Sequence, residues 1–240
     1  MRFATRLVQG VLIRRYKRFL ADVRLDDGRE VTAHCPNSGS MKTVAIPGNR
    51  ALVSPANNPK RKLKWTWEVA YVGDGSVPAL VNTVLPNRVV REGIELGTIP
   101  ELAGYDTIRP EVPYGERSRI DLLLTGADLP ETYVEVKNVT LLQDHEPGVA
   151  RFPDAVTTRG TRHLRELMAV VAAGGRGVLV FHTARGDAQE VRPADTIDPT
   201  YGETLREAHS AGVEVLAYRV RVTPEEAVIE RRLPVVLPDP

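Results

Sequence analysis

Between residues 5 and 84, turn chemistry recurs at short intervals: Asp27-Gly28, Pro36–Ser40, Pro47-Gly48, Pro55–Pro59 and Gly73–Gly75. The runs left between these turns, Arg6–Leu25, Glu30–Cys35, Arg50–Ser54, Trp65–Val72 and Ala79–Leu85, are β-like in composition. About five short strands in such a span predict a small all-β barrel over residues 1–84. The OB-like barrel is the economical choice, and barrels of this kind often bind oligonucleotides.

After Leu85-Pro86 the pattern changes, and residues 85–240 read as a second domain. A helix is expected over Asn87–Gly97, then strands at Ile108–Pro113, Arg119–Leu124 and Tyr133–Val139. A second helix is expected from about Asp154, as its cap, to Ala173, ended by Gly174-Gly175. The strand Gly177–His182, a helix near Tyr201–Ala211 and the strand Val213–Val222 complete the order. That order predicts an α/β domain of the α+β kind, a mixed sheet covered by helices. Leu233–Pro240 reads as a proline-rich tail.

No apolar run approaches the ~20 residues of a membrane-spanning helix, so no membrane partner is expected. The single cysteine, Cys35, excludes an internal disulfide framework and a cysteine-based zinc site. A cytoplasmic protein is the expectation. The five histidines are scattered, which argues against a histidine-rich zinc enzyme. No G-x-S-x-G elbow supports a serine triad.

The net charge of +1 hides an asymmetry. Residues 1–84 carry 14 Lys and Arg against 6 Asp and Glu, a net +8; the rest carry 18 against 25, a net −7. A basic first domain can attract a polyanion, because each phosphate neutralised releases counterions. Its candidate phosphate contacts are Arg15, Lys17, Arg18, Lys60, Arg61, Lys62 and Lys64. Trp65 and Trp67 follow the lysine cluster; they either stack bases or point together into the barrel core.

The chemistry concentrates in Ser118-Arg119-Ile120-Asp121-Leu122-Leu123-Leu124 and Tyr133-Val134-Glu135-Val136-Lys137-Asn138. Strand alternation places Glu135 and Lys137 on one face, and Arg119, Asp121 and Leu123 on one face of the preceding strand. If the two strands pair, Asp121 lies beside Glu135, and two adjacent carboxylates repel unless a divalent cation joins them. Hard oxygen ligands suit Mg²⁺ or Mn²⁺, with Glu111 on the strand before as a candidate third carboxylate. Such a metal polarises a phosphoryl oxygen, and Lys137 orients a water or offsets charge on the phosphate. Beyond Lys64 the chain has 17 arginines and one lysine, and that lysine is Lys137. A compact ammonium whose pKa can shift differs chemically from a guanidinium fork. Arg159, His163 and Glu166 recur at helical spacing, so Arg159 and His163 are candidates to reach a phosphate, as Arg119 is. A solvent-exposed helix face reads the same way.

Four runs together resemble the sugar fermentation stimulation protein (SfsA) family: His34–Met41, Gly115–Leu124, Tyr133–Leu141 and Phe152–Leu164. The resemblance runs over nearly the whole chain. It implies an N-terminal OB-like domain followed by a domain similar to the PD-(D/E)XK nuclease superfamily. It further implies metal-ligand roles for Asp121 and Glu135, a catalytic-lysine role for Lys137 and an extra acidic role for Glu111. Family members often carry an acid where this chain has Thr158. Three functions are compatible with these residues. The first is a metal-dependent nuclease acting on nucleic acid, DNA above all. The second is a non-catalytic, weakly sequence-specific DNA-binding regulator of sugar metabolism. The third is an enzyme on another phosphorylated substrate.

Overall fold

The computed structural model describes residues 1–58, 60–115, 118–143 and 145–238. Pro59 of the expected fourth turn, Glu116 and Arg117 of the second family-like run, and Asp239-Pro240 of the expected tail lie outside the described residues.

The first six strands are β1 (Val8–Tyr16), β2 (Leu20–Leu25), β3 (Glu30–His34), β4 (Arg50–Pro55), β5 (Trp65–Val72) and β6 (Val77–Leu80). They form one sheet in the order β3-β2-β1-β4-β5-β6. A parallel pairing of β3 with β5, Ala33 opposite Trp65, closes β1–β5 into an OB barrel. Trp67 lies wholly inside it, its indole N–H donating to the Val69 carbonyl at 2.9 Å. It is therefore a core residue and offers no face to a base, while Trp65 packs half-buried against the same core. The last expected strand is displaced: β6 ends at Leu80, short of Leu85.

The second sheet has the order β15-β14-β12-β9-β8-β7. Its members are β7 (Thr107–Tyr114), β8 (Ser118–Gly126), β9 (Leu129–Val139), β12 (Arg176–Thr183), β14 (Glu214–Val222) and β15 (Ala227–Leu233). The pairs β9–β12 and β12–β14 are parallel and the others antiparallel, so the sheet is mixed. Helix α1 (Pro86–Glu95) covers one face, while α2 (Thr158–Ala172) and α3 (Pro199–Ser210) cover the other. A small sheet of β10 (Leu141–Leu142), β11 (Val149–Phe152) and β13 (Glu190–Pro193) flanks them.

Three further sequence expectations change. Helix α2 starts at Thr158, not Asp154, with Thr157 as its cap accepting from the Gly160 N–H at 3.0 Å. The segment expected as a tail is docked, since Val236 N–H donates to the Val191 carbonyl and Val235 and Leu237 pack on the core. Residues before it form β15, a strand absent from the sequence reading. The apolar core on the α1 side joins Leu52, Val69 and Leu80 of the barrel to Val89, Val134 and Val178. Barrel and mixed sheet are thus welded through common buried side chains, and apolar burial at roughly 25 cal/mol per Å² holds them together.

Candidate active site

The β8–β9 ladder runs from Gly126 opposite Leu129, through a register shift, to Leu122 opposite Val134 and ends there. Asp121 and Glu135 are the first residues past its end. With no β8 residue opposite it, the Val136 N–H is met by the Asp121 carboxylate, Oδ2 accepting at 2.7 Å. Asn87 on α1 donates to the other oxygen at 2.8 Å. Asp121 is thereby fixed from the sheet and from the covering helix.

The strict alternation expected along β8 breaks at this residue. Leu122 and Leu124 pack in the α1-side core, but Ile120 packs in the opposite one. On β7, Ile108 and Val112 divide in the same way. Both strands therefore change face at Glu111 and Asp121, and Glu111 carries the left-handed φ of 55° that makes this possible. Glu111 is exposed, and its side chain is not part of the cavity wall described below. The expected third carboxylate is therefore not brought to the other two, because the backbone twist turns it out.

Glu135 is 3% exposed, and its Oε1 accepts from the Lys137 ammonium at 2.5 Å and pairs with Nδ1 of His163. The Arg159 Nε–H donates to Nε2 of His163 at 3.3 Å, which leaves the ring proton on Nδ1 to donate to Glu135. Oε2 of Glu135 is buried with no hydrogen-bond partner. Burial drives the Glu135 carboxyl upward, but the His163 bond and the Lys137 charge outweigh it and hold the pKa below 4.5. Asp121 goes the other way: burial first, then the charge of Glu135, push it up to about 6.

Asp121, Glu135 and Lys137 line a cavity of about 320 Å³ with Asn87, Asn138 and Arg159. The barrel supplies the opposite wall through Asn37, Ser38 and Gly39. Arg15 holds that loop, donating to the carbonyls of Asn37, Gly39 and Ser40 at 2.9, 3.1 and 3.3 Å. Asp154 accepts from the Ser40 hydroxyl and the Met41 N–H, tying the same loop to the second domain. A Cβ on Gly39 would stand 2.6 Å from the Asp154 carboxylate and would push it off Ser40 and Met41.

The expected phosphate contacts are scattered. Arg159 lines the cavity. His163, 2% exposed, lies behind Glu135 and orients it without reaching the cavity surface. Arg15 is committed to backbone carbonyls, so it builds the wall instead of offering a free charge. Arg119 donates to the Glu111 carbonyl and stands outside the cavity. Lys17 and Arg18 are exposed in the β1–β2 turn, and Lys60, Lys62 and Lys64 are exposed on the barrel, away from the cavity wall. Arg61 faces a different cavity. Sequence reasoning missed Asn87 and Asp154, whose roles depend on contacts across 34 and 114 residues of chain.

Among the described residues no three His, Cys, Asp or Glu side chains converge as a metal-holding group. The oxygen donors on hand are the Asp121 carboxylate and the unpartnered Oε2 of Glu135, a hard pair suited to a small divalent cation. No helix among the described residues is long and apolar enough to cross a membrane.

Residues 84–226 match the model of the sugar fermentation stimulation protein RE domain, and residues 13–79 match that of the SfsA N-terminal OB domain. A sugar fermentation stimulation protein homologue from Geobacter sulfurreducens is 61% identical over 96% of both chains. One from Pelobacter propionicus is 59% identical, over 96% of this chain and 98% of its own. A solved structure of Pyrococcus furiosus SfsA in complex with Ca²⁺ superposes with a TM-score of 0.87 at 28% identity, over 98% of each chain. With both halves matched in order and relatives this similar along nearly their whole length, the chain belongs to the sugar fermentation stimulation protein (SfsA) family.

Proposed function

We propose that this chain is a divalent-metal-dependent phosphodiesterase acting on nucleic acid, DNA above all. The observation that carries this reading is one cavity wall bearing Asp121, Glu135 and Lys137, with Oε2 of Glu135 buried and unpartnered beside it. An orphaned buried carboxylate oxygen is costly unless something cationic completes it. Asp121 and Glu135 would hold Mg²⁺ or Mn²⁺, and the Ca²⁺ in the solved relative supports an oxygen-ligated divalent site. When bound, such a cation supplies Lewis-acid polarisation of a phosphoryl oxygen.

The chain's own residues do the rest. Lys137, 14% exposed, keeps its ammonium at the cavity surface, where it offsets charge gathering on a scissile phosphate and orients a water. Glu135 holds that ammonium in place, and His163 holds Glu135. Arg159 at the rim can take a flanking phosphate. The exposed Lys60, Lys62 and Lys64 add a salt-dependent hold on the strand from the barrel.

The test is incubation of the purified protein with end-labelled single- and double-stranded DNA in Mg²⁺, Mn²⁺ or EDTA. Cleavage that needs the metal and falls at least a hundredfold in Asp121→Asn and Lys137→Met supports the reading. Binding without cleavage under any metal replaces it with the non-catalytic regulator. Cleavage unchanged by either substitution removes this site from the reaction.

A further inference from the structure

A second cavity, of about 610 Å³, opens on the barrel beside the first. At it lies Glu68, 6% exposed, the lone acid of a β5 strand that is otherwise nearly all apolar and buried. The Ser54 hydroxyl donates to its Oε1 and the Asn82 amide to its Oε2, both at 2.6 Å. Each oxygen accepts one bond and retains a lone pair. On the same cavity stand Arg61, whose Nη1 donates to the Thr66 hydroxyl at 3.1 Å, the half-buried imidazole of His34, and the ring of Phe3. Exposed Arg2 and Arg88 line it as well.

This set constrains a ligand. A metal ion is disfavoured by the guanidinium of Arg61, and a bare anion by the carboxylate of Glu68. What fits is a flat group offering two N–H donors to a carboxylate and an acceptor to a guanidinium, with an aromatic face and a phosphate nearby. Among nucleobases, guanine alone presents adjacent N1–H and N2–H donors beside the O6 acceptor. Unstacked bases are read in this manner on their Watson–Crick edges.

The position agrees with that chemistry. Asn82, Val84, Leu85 and Arg88 face this cavity, while Thr83, Pro86 and Asn87 face the one that holds Asp121. A single stretch of chain is thus the ridge between them. We propose that the barrel cavity takes one unstacked guanine of a bound nucleic-acid strand, read by Glu68 and Arg61, and so sets where the strand lies across the ridge. The proposal rests on the nucleic-acid reading above, but not on catalysis.

Fluorescence anisotropy in EDTA tests it without the metal site. The probes are labelled thymidine oligomers carrying one central guanine, adenine or cytosine, or none. The expected result is about tenfold tighter binding of the guanine oligomer. That preference should vanish in Glu68→Gln, weaken in Arg61→Ala and persist in Asp121→Asn. Equal affinity of the wild-type protein for all four oligomers overturns the proposal, and that comparison needs no variant to fold. A guanine preference retained by a folded Glu68→Gln overturns it too. Deoxyguanosine monophosphate binding more tightly than the guanine oligomer would reassign the cavity to a free nucleotide and overturn the strand assignment. Metal-dependent cleavage with no base preference leaves the nuclease reading standing and this one fallen; a guanine preference with no cleavage under any metal does the reverse.

Discussion

Glu135 and Glu68 are both carboxylates buried on strands beside cavities, yet their surroundings drive them apart. Lys137 and His163 stand against Glu135 and hold its pKa low, and one of its oxygens has no partner. Ser54 and Asn82 satisfy both oxygens of Glu68, and burial pushes its pKa above 4.5. Equal burial therefore says little about role. A carboxylate held charged by an ammonium and an imidazole N–H and left with a bare oxygen suits a metal; one cradled by hydroxyl and amide donors suits a hydrogen-bonding ligand.

The largest way to break this contrast is chemical. Lys137→Met should lower DNA cleavage by about 10²–10³ while leaving oligonucleotide affinity within about twofold, and a quenched-time gel assay beside anisotropy checks both. If Glu68→Gln produced the same loss of cleavage at saturating DNA, the two glutamates would not differ in role. Next comes stability. Glu135→Gln leaves the Lys137 cation without its buried partner and should cost about 3 kcal/mol in urea unfolding, whereas Glu68→Gln should cost no more than ~1 kcal/mol.

His163→Ala should loosen Glu135 without touching substrate, weakening Mn²⁺ binding about 10–100-fold by calorimetry. Partial rescue by His163→Asn or Gln, which can still donate a hydrogen bond, would distinguish positioning from mere packing. The smallest effect is in the pH dependence of stability. Asp121 and Glu68 bind protons more tightly folded than unfolded, so each removes stability as pH rises, Asp121 between 3.8 and about 6 and Glu68 from 4.5 upward. Glu135 has the opposite sign, and its contribution is lost as pH falls below 4.5. Thermal melts from pH 4 to 8 of metal-free protein should therefore show a flatter fall with rising pH in Asp121→Asn and Glu68→Gln.

The shared cavity of Glu135 and Lys137 was legible in the sequence because two-residue spacing on a strand is a local rule, and both obey it. The barrel was legible for a similar reason, since its turns announce themselves through Gly, Pro and Asn. Glu111 was not, because its exclusion depends on a left-handed backbone that nothing in the neighbouring residues requires. Arg15 was expected as a phosphate contact, since no pattern distinguishes a free guanidinium from one closed over four carbonyls. Asp154 looked like a helix cap because it stands just before the apolar period of α2. Its carboxylate instead goes to the barrel loop, and Thr157 caps the helix. Glu68 left a trace that the sequence reading passed over: one acid inside Trp65–Val72, flanked on both sides by apolar residues.

The loop Asn37–Ser40 has a consequence for how such a chain can evolve. It leaves the barrel, is gripped there by Arg15, and completes a cavity whose carboxylates belong to the other half. Grafting a foreign barrel upstream of residue 84 would then remove one wall of that cavity. Shuffling of modules, the usual route by which a domain acquires new partners, is obstructed here. Specificity in such a lineage has to drift side chain by side chain.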